Sequence, residues 1–183
     1  MEGLLRLQEQ GKIRYIGVSN FSAEQHAEVM QHGRVDSSQP MYSLFTRQAG
    51  AEVLPFCAQH GIGVIAHSPL AKGLLTGKYA AEYQFPADDE RSQMAAFQGD
   101  RFTEALRIAD QLKLWAAAKD HTLVELAIAW TLANPAVTSC IVGAKSPAQA
   151  ISNAAAADWV LTPAELHEID QIQGDFRISS LHV

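Results

Sequence analysis

A chain of 183 residues, 48% hydrophobic and 19% charged, has the size and composition of one globular domain able to bury a core. Its formal net charge of −6 argues against nucleic acid or an anionic membrane as the main partner. No apolar run reaches the ~18 residues of a membrane span. The two cysteines, Cys57 and Cys140, stand far apart without CxxC spacing and read as reduced core thiols of a cytoplasmic protein rather than a metal or redox pair.

Gly3 to Gln10 reads as the tail of an amphipathic helix closed by Gly11, so the chain reads as starting inside an element. Ile13 to Val18, rich in β-branched residues, is a predicted strand ending at Ser19-Asn20-Phe21. Ser22 and Gln25 form a capping box for a helix to about Gln31, stopped at Gly33. An extended piece from Val35 to Met41 is broken by Pro40, and a helix follows from about Gln48 to His60. Ile62 to Ala66 then reads as a buried strand running into Ser68-Pro69 and a glycine-spaced turn. Gly73 and Gly77 let backbone approach a ligand closely there, and Lys72 and Lys78 supply charge for an anion such as a phosphate.

Residues 79–101, with Pro86, an acidic run and Gly99, form the least regular segment; loops of this length are functional or disordered. Helix resumes near Thr103 and runs toward Lys119, with Leu106, Ala109, Leu112 and Ala116 on one stripe. Thr122 and Glu125 make a second capping box, opening a helix to Asn134-Pro135, and Val137 to Val142 is a predicted strand. Gly143 to Gln149 combines a turn glycine, an N-cap Ser146 and Pro147 at the first helical position; Thr162 to Glu165 repeats such a start for the last helix. One helix followed by four βα units and an extra helix implies an α/β fold with parallel strands, in a single domain over residues 1–183.

Three stretches carry a resemblance: Gly11-Lys-Ile-Arg-Tyr-Ile-Gly-Val-Ser-Asn-Phe21, Ser68-Pro-Leu-Ala-Lys-Gly-Leu-Leu-Thr-Gly-Lys-Tyr79, and Ile141-Val-Gly-Ala-Lys-Ser146 with Gln149 and Asn153. In this order they resemble the aldo-keto reductase superfamily, in its bacterial and potassium-channel β-subunit branches. The resemblance covers nearly the whole chain. It implies the C-terminal half of a (β/α)8 TIM barrel, strands five to eight preceded by the helix after strand four, and NADP(H) as cofactor. It also gives the residues roles. Ser19, Asn20 and Gln39 match the positions that hold the nicotinamide carboxamide, which needs both donors and acceptors. His67 takes the ring-stacking position, where relatives carry Tyr, Trp or Phe, and proton donation is its second reading. Ser68, Pro69, Leu70, Lys72, Gly73 and Leu74 match the pyrophosphate cradle, with Lys78 adding charge and Arg91 a clamp on the same group. Gly143, Lys145, Ser146, Gln149 and Asn153 match the adenosine end, where Lys145 beside free helix amides suits the 2′-phosphate of NADP.

The family's Asp, Tyr, Lys and His tetrad belongs to the other half of the barrel, and Tyr15, Tyr42, Tyr79 and Tyr83 do not fall in its motif. The resemblance therefore implies the cofactor-binding part of an NADPH-dependent reductase of small aldehydes or ketones, without catalytic residues of its own and without a metal. The alternative is a non-catalytic dinucleotide-binding or regulatory protein. Four parallel strands with open edges imply a homodimer or association with a missing N-terminal half. The tail, Ile178 to Val183, is too short to name a substrate.

Overall fold

Helix starts follow the capping signals. Ser22 Oγ accepts from the Gln25 N–H at 3.2 Å while Gln25 Oε1 accepts from the Ser22 N–H at 2.8 Å, opening α2 (Ala23–Met30). Thr122 with Glu125 does the same for α5 (Leu123–Leu132), and Thr162 with Glu165 for α7 (Pro163–Gln173). Ser146 caps α6 (Pro147–Ala155), with proline in its first turn. The computed structural model describes residues 1–179 and residue 181; positions 180, 182 and 183 of the tail lie outside the described residues. The remaining helices are α1 (Glu2–Glu9), α3 (Val53–His60) and α4 (Gly99–Ala117).

Four strands, β1 (Gly17–Ser19), β2 (Ser37–Gln39), β3 (Gly63–His67) and β4 (Val137–Ile141), pair in parallel in chain order. Between β3 and β4 the register runs Val64 to Val137 and then Ile65 to Ser139, so Thr138 is an extra residue on β4. Its hydroxyl accepts from the Val64 N–H at 3.2 Å, which satisfies the amide that the skipped partner leaves open. Beyond the bulge, His67 stands opposite Ile141.

Alternation along the strands separates two faces. Val64 and Ala66 are fully buried beneath the helices. Ile65, His67, Ser139 and Ile141 share the other face, which also carries Ser19 and Gln39 by register. Ser19, Ser139 and Ile141 are exposed there, and β1 and β4 each end the sheet among the described residues.

Under the helices lie Leu54, Leu74, Leu75, Met94, Ile108, Leu112 and Leu126, all fully buried. His26 is buried too. Its Nδ1–H donates to the Ser22 carbonyl at 2.7 Å, its Nε2 accepts from the Ser38 hydroxyl at 2.9 Å, and its ring meets Phe21 and Phe56. That histidine ties α2 to β2.

Several boundaries differ from the sequence reading, three of them with a neighbour that bears on the difference. The first strand begins only at Gly17, because Ile16 is held by Asp36 instead of by a ladder: its N–H donates to the Asp36 carboxylate at 2.9 Å. The helix expected from Gln48 divides into a 3₁₀ turn (Gln48–Gly50) and α3, and the Tyr42 ring packs on Gly50 so closely that a Cβ there would lie 3.2 Å from it. The irregular segment before α4 is ordered by two further 3₁₀ turns (Glu90–Gln93 and Ala95–Phe97), anchored by buried Met94, Ala96 and Phe97, and α4 itself starts at Gly99 rather than Thr103.

Truncating Leu126 to alanine removes a fully buried side chain, and urea unfolding is expected to show a loss of about 2–5 kcal/mol. Leu114→Ala, at a residue 72% exposed, is expected to change stability by no more than about 0.5 kcal/mol.

Candidate functional site

Because β3 and β4 run parallel, the segments leaving them emerge at the same end of the sheet and flank a cavity of about 670 Å³. From the β3 side it is lined by Ser68, Pro69, Leu70, Lys72, Gly73 and Lys78, and from the β4 side by Gly143, Lys145, Gln149 and Asn153. Sequence reasoning missed Thr76, Ala144, Val142, Ile141 and Val124 as lining residues. Val124 had no signal to find, since an apolar residue just inside a capping box reads only as helix.

The segment after β3 is strained. Ser68, Ala71 and Lys72 have φ of 57°, 47° and 51°, the left-handed region that costs an L-residue about 1–2 kcal/mol. Gly73 follows at φ 105°, and a Cβ there would come 3.1 Å from the Tyr79 hydroxyl. The Ala71 N–H donates to the Ser68 carbonyl and the Gly73 N–H to Leu70, both at 2.9 Å. The Thr76 hydroxyl donates to the Gly73 carbonyl at 2.6 Å. Leu74, expected in the ligand cradle, is instead fully buried, so it anchors the turn from behind.

Arg91 also acts from behind. Its guanidinium donates to the Asp89 carboxylate, to the Tyr79 hydroxyl at 2.6 Å and to the Lys72 carbonyl at 3.3 Å, and it stands 4.9 Å from the Phe85 ring centre. It does not line the cavity. Its hydrogen bonds hold the Asp89 carboxyl down to about 2. The Lys72 ammonium pairs with Glu90 at 2.6 Å, and that of Lys78 lies 4.7 Å over the Tyr79 ring. The segment after Tyr79 is thereby clipped onto the strained turn.

Across the cavity, the start of α6 is less open than its sequence suggests. Ser146 Oγ accepts from the Gln149 N–H, Gln149 Oε1 accepts from the Lys145 N–H at 2.7 Å, and Pro147 has no N–H to offer. Asn153 Nδ2 donates to the Gly143 carbonyl at 3.3 Å. Ser146, Gln149 and Asn153 therefore brace the loop, and Lys145 is left as its exposed cation.

Ser19, Asn20 and Gln39 stand together at the ends of β1 and β2. The Gln39 backbone carbonyl accepts from the Ser19 hydroxyl at 3.0 Å and from the Asn20 N–H at 3.1 Å. Asn20, in the left-handed region at φ 56°, turns its Oδ1 to the Met41 N–H and to His67 Nε2 at 3.3 and 2.8 Å. His67 Nδ1 lies 3.0 Å from Ser68 Oγ, which joins this cluster to the cavity. The tyrosines stand elsewhere: Tyr42 and Tyr79 are buried, Tyr15 is 74% exposed, and Tyr83 packs on Tyr79 and Phe85. Burial raises the thiols of buried Cys57 and half-buried Cys140 above their ordinary range.

Residues 1–173 match the model of the Aldo/keto reductase family. The chain belongs to that family. It is 36% identical over 172 residues to the aldo-keto reductase YhdN of Bacillus subtilis (strain 168), covering 93% of this chain and 52% of that protein. The NADH-specific methylglyoxal reductase of Escherichia coli (strain K12) is 34% identical over 162 residues, 88% of this chain and 49% of that one. A probable voltage-gated potassium channel subunit beta of Oryza sativa subsp. japonica is 35% identical over 177 residues, 90% and 53% respectively. Among solved structures, the glycerol dehydrogenase AKR11B4 from Gluconobacter oxydans matches with a TM-score of 0.87 at 32% identity, over 97% of this chain and 54% of that chain. This aldo/keto reductase chain thus spans about half the length of the relatives it matches, and its four parallel strands form half of a (β/α)8 barrel. No helix among the described residues is long and apolar enough to cross a membrane.

An unpaired aspartate titrates near ~3.9, and a carboxyl depressed below that supports its clip fully above that pH and loses it as pH falls through the lower value. Protection of the amides of residues 72–79, taken relative to the intrinsic exchange rate at each pH, is therefore expected to fall as pH falls from about 4 toward about 2. Asp89→Asn is expected to lower it several-fold at pH 7. Unchanged exchange in that variant would show that the clip does not hold the turn.

Proposed function

We propose that this chain binds the nicotinamide dinucleotide NADP(H) across the carboxyl ends of its four strands, as the cofactor-holding half of an oxidoreductase that reduces aldehydes or ketones to alcohols. The observation that carries the reading is a continuous polar track. It runs from the Asn20 carboxamide through His67 to Ser68 and on into a cavity bordered by Lys72, Lys78 and Lys145. Carboxamides at one end and cations at the other suit an amide-bearing ring joined to phosphates.

In this reading Ser19, Asn20 and Gln39 hold the carboxamide, and His67 lies against the ring. Ser68, Pro69, Leu70, Lys72, Gly73 and Lys78 take the pyrophosphate, on a turn that Leu74 and Arg91 support from beneath. Gly143, Lys145, Ser146, Gln149 and Asn153 form the adenosine end. The bound cofactor would supply a hydride. The chain's residues bind and orient it, and we assign no proton donor among them. The acid for the developing alkoxide would come from the other half of a complete barrel, or be lacking in a non-catalytic dinucleotide-binding protein. The position of all four tyrosines away from the cavity lining supports this division. A cytoplasmic location fits the reading. The open edges of β1 and β4 point to a second copy or a complementary half as partner.

The preference for NADP(H) rests on Lys145, the exposed cation of the adenosine-end loop. Calorimetric titration with NADPH and NADH is expected to favour NADPH by about tenfold, the worth of a charge-assisted hydrogen bond. Lys145→Glu is expected to abolish that difference. Equal affinities in the parent chain would remove the NADP assignment, and no binding of either would remove the proposal. The same samples are expected to oxidise NADPH no faster with an aldehyde than without.

Light scattering at high concentration is expected to report a mass above that of the monomer. A monodisperse monomer would contradict the assignment of the edges.

A further inference from the structure

We propose that Glu90 is a built-in competitor for Lys72: its carboxylate occupies the ammonium that an anion entering the cavity must take over. Naming that anion as the pyrophosphate of a dinucleotide rests on the function proposed above. Lys72 lines the cavity, while its ammonium stands 2.6 Å from the Glu90 carboxylate, which belongs to the segment behind the turn. Of the other two cavity lysines, Lys78 lies over the Tyr79 ring and Lys145 is exposed. Among the described residues, Lys72 is thus the cavity lysine held at ion-pair distance by a carboxylate.

Two adjacent residues grip Lys72 at different points, and that division sets what each can do. Arg91 donates to the Lys72 carbonyl at 3.3 Å and is itself fixed by Asp89 and Tyr79. It holds the backbone, which at φ 51° needs such support. Glu90 engages the far end of the side chain. The ammonium can therefore leave Glu90 while the turn keeps its shape. Exposure points the same way: the Lys72 side chain is 21% exposed and that of Glu90 61%. A displaced carboxylate is already at the solvent and is hydrated without disturbing the core. A diphosphate carries more negative charge than one carboxylate, so once seated in the cavity it wins the lysine. An ion pair this exposed is worth little in water, which makes Glu90 a weak and reversible competitor. It tunes affinity and does not close the site.

The test uses the full chain and two probes, NADPH and inorganic pyrophosphate, each titrated by calorimetry. Glu90→Gln keeps size and polarity but removes the charge. It is expected to tighten both probes by about two- to fivefold, the worth of one exposed ion pair. Asp88→Asn removes an equal charge at an exposed neighbour and is expected to stay within about 1.5-fold, because solvent and salt screen it. In a Lys72→Met background, with no ammonium to contest, Glu90→Gln is expected to change neither affinity. Amide protection over residues 72–79 is expected to be the same in Glu90→Gln as in the parent, since Arg91 holds the turn. Weaker binding with protection lost would make Glu90 a support of the turn and overturn the proposal. Equal gains in Glu90→Gln and Asp88→Asn would reduce the effect to overall charge and overturn it too. Pyrophosphate bound without NADPH would remove the dinucleotide reading, and the competition would then be decided by pyrophosphate. Unchanged affinity for both probes in Glu90→Gln would overturn the competition, whether or not the parent binds NADPH.

Discussion

The parallel pairing of β3 with β4 is the constraint on which the site depends. Parallel strands must leave the sheet at the same end, so pairing His67 with Ile141 sets the turn beginning at Ser68 beside the loop beginning at Val142. The extra residue at Thr138 adjusts where that meeting falls. Two segments that are some seventy residues apart in the chain thereby face each other across one cavity, with lysines on both sides. The pairing of β1 with β2 extends the same logic, bringing Ser19 and Asn20 to the Gln39 carbonyl.

Holding such a site open costs conformational energy, and the chain offsets it locally. Four of the five non-glycine residues with positive φ among the described residues, Asn20, Ser68, Ala71 and Lys72, lie just past strand ends. Strain concentrated there persists only where neighbours over-determine it. The neighbours are identifiable: Leu74 and Leu75 in the core, Arg91 on the Lys72 carbonyl, and His67 on Asn20. On the β4 side, Ser146, Gln149 and Asn153 satisfy backbone groups of their own loop. Most polar side chains read at first as ligand contacts thus also hold the backbone in shape, an arrangement that lowers the ordering cost of binding.

Local chemistry was what the sequence made legible. The capping boxes at Ser22, Thr122 and Thr162 mark real helix starts because their partners lie three residues away. The turn after β3 was readable from Ser68-Pro69 and the spaced glycines. Features decided by distant neighbours were hidden. The first strand is short because Asp36, on the approach to β2, takes up the Ile16 amide, and the helix expected from Gln48 breaks where Tyr42 crowds Gly50. Lys72 and Leu74 look alike as turn residues, yet one borders the cavity and the other is core. Arg91 looked like a cation available to a ligand, but Asp89, Tyr79 and the Lys72 carbonyl already engage it.

The central claim is that one dinucleotide spans the strand ends from Asn20 to Lys145. Titrating the ¹⁵N-labelled full chain with NADPH while following every backbone amide tests it most directly. Amides at residues 19–20, 68–78 and 143–149 are expected to shift together and to saturate with a single dissociation constant. Shifts confined to one of these three segments, or segments saturating at different concentrations, would contradict it.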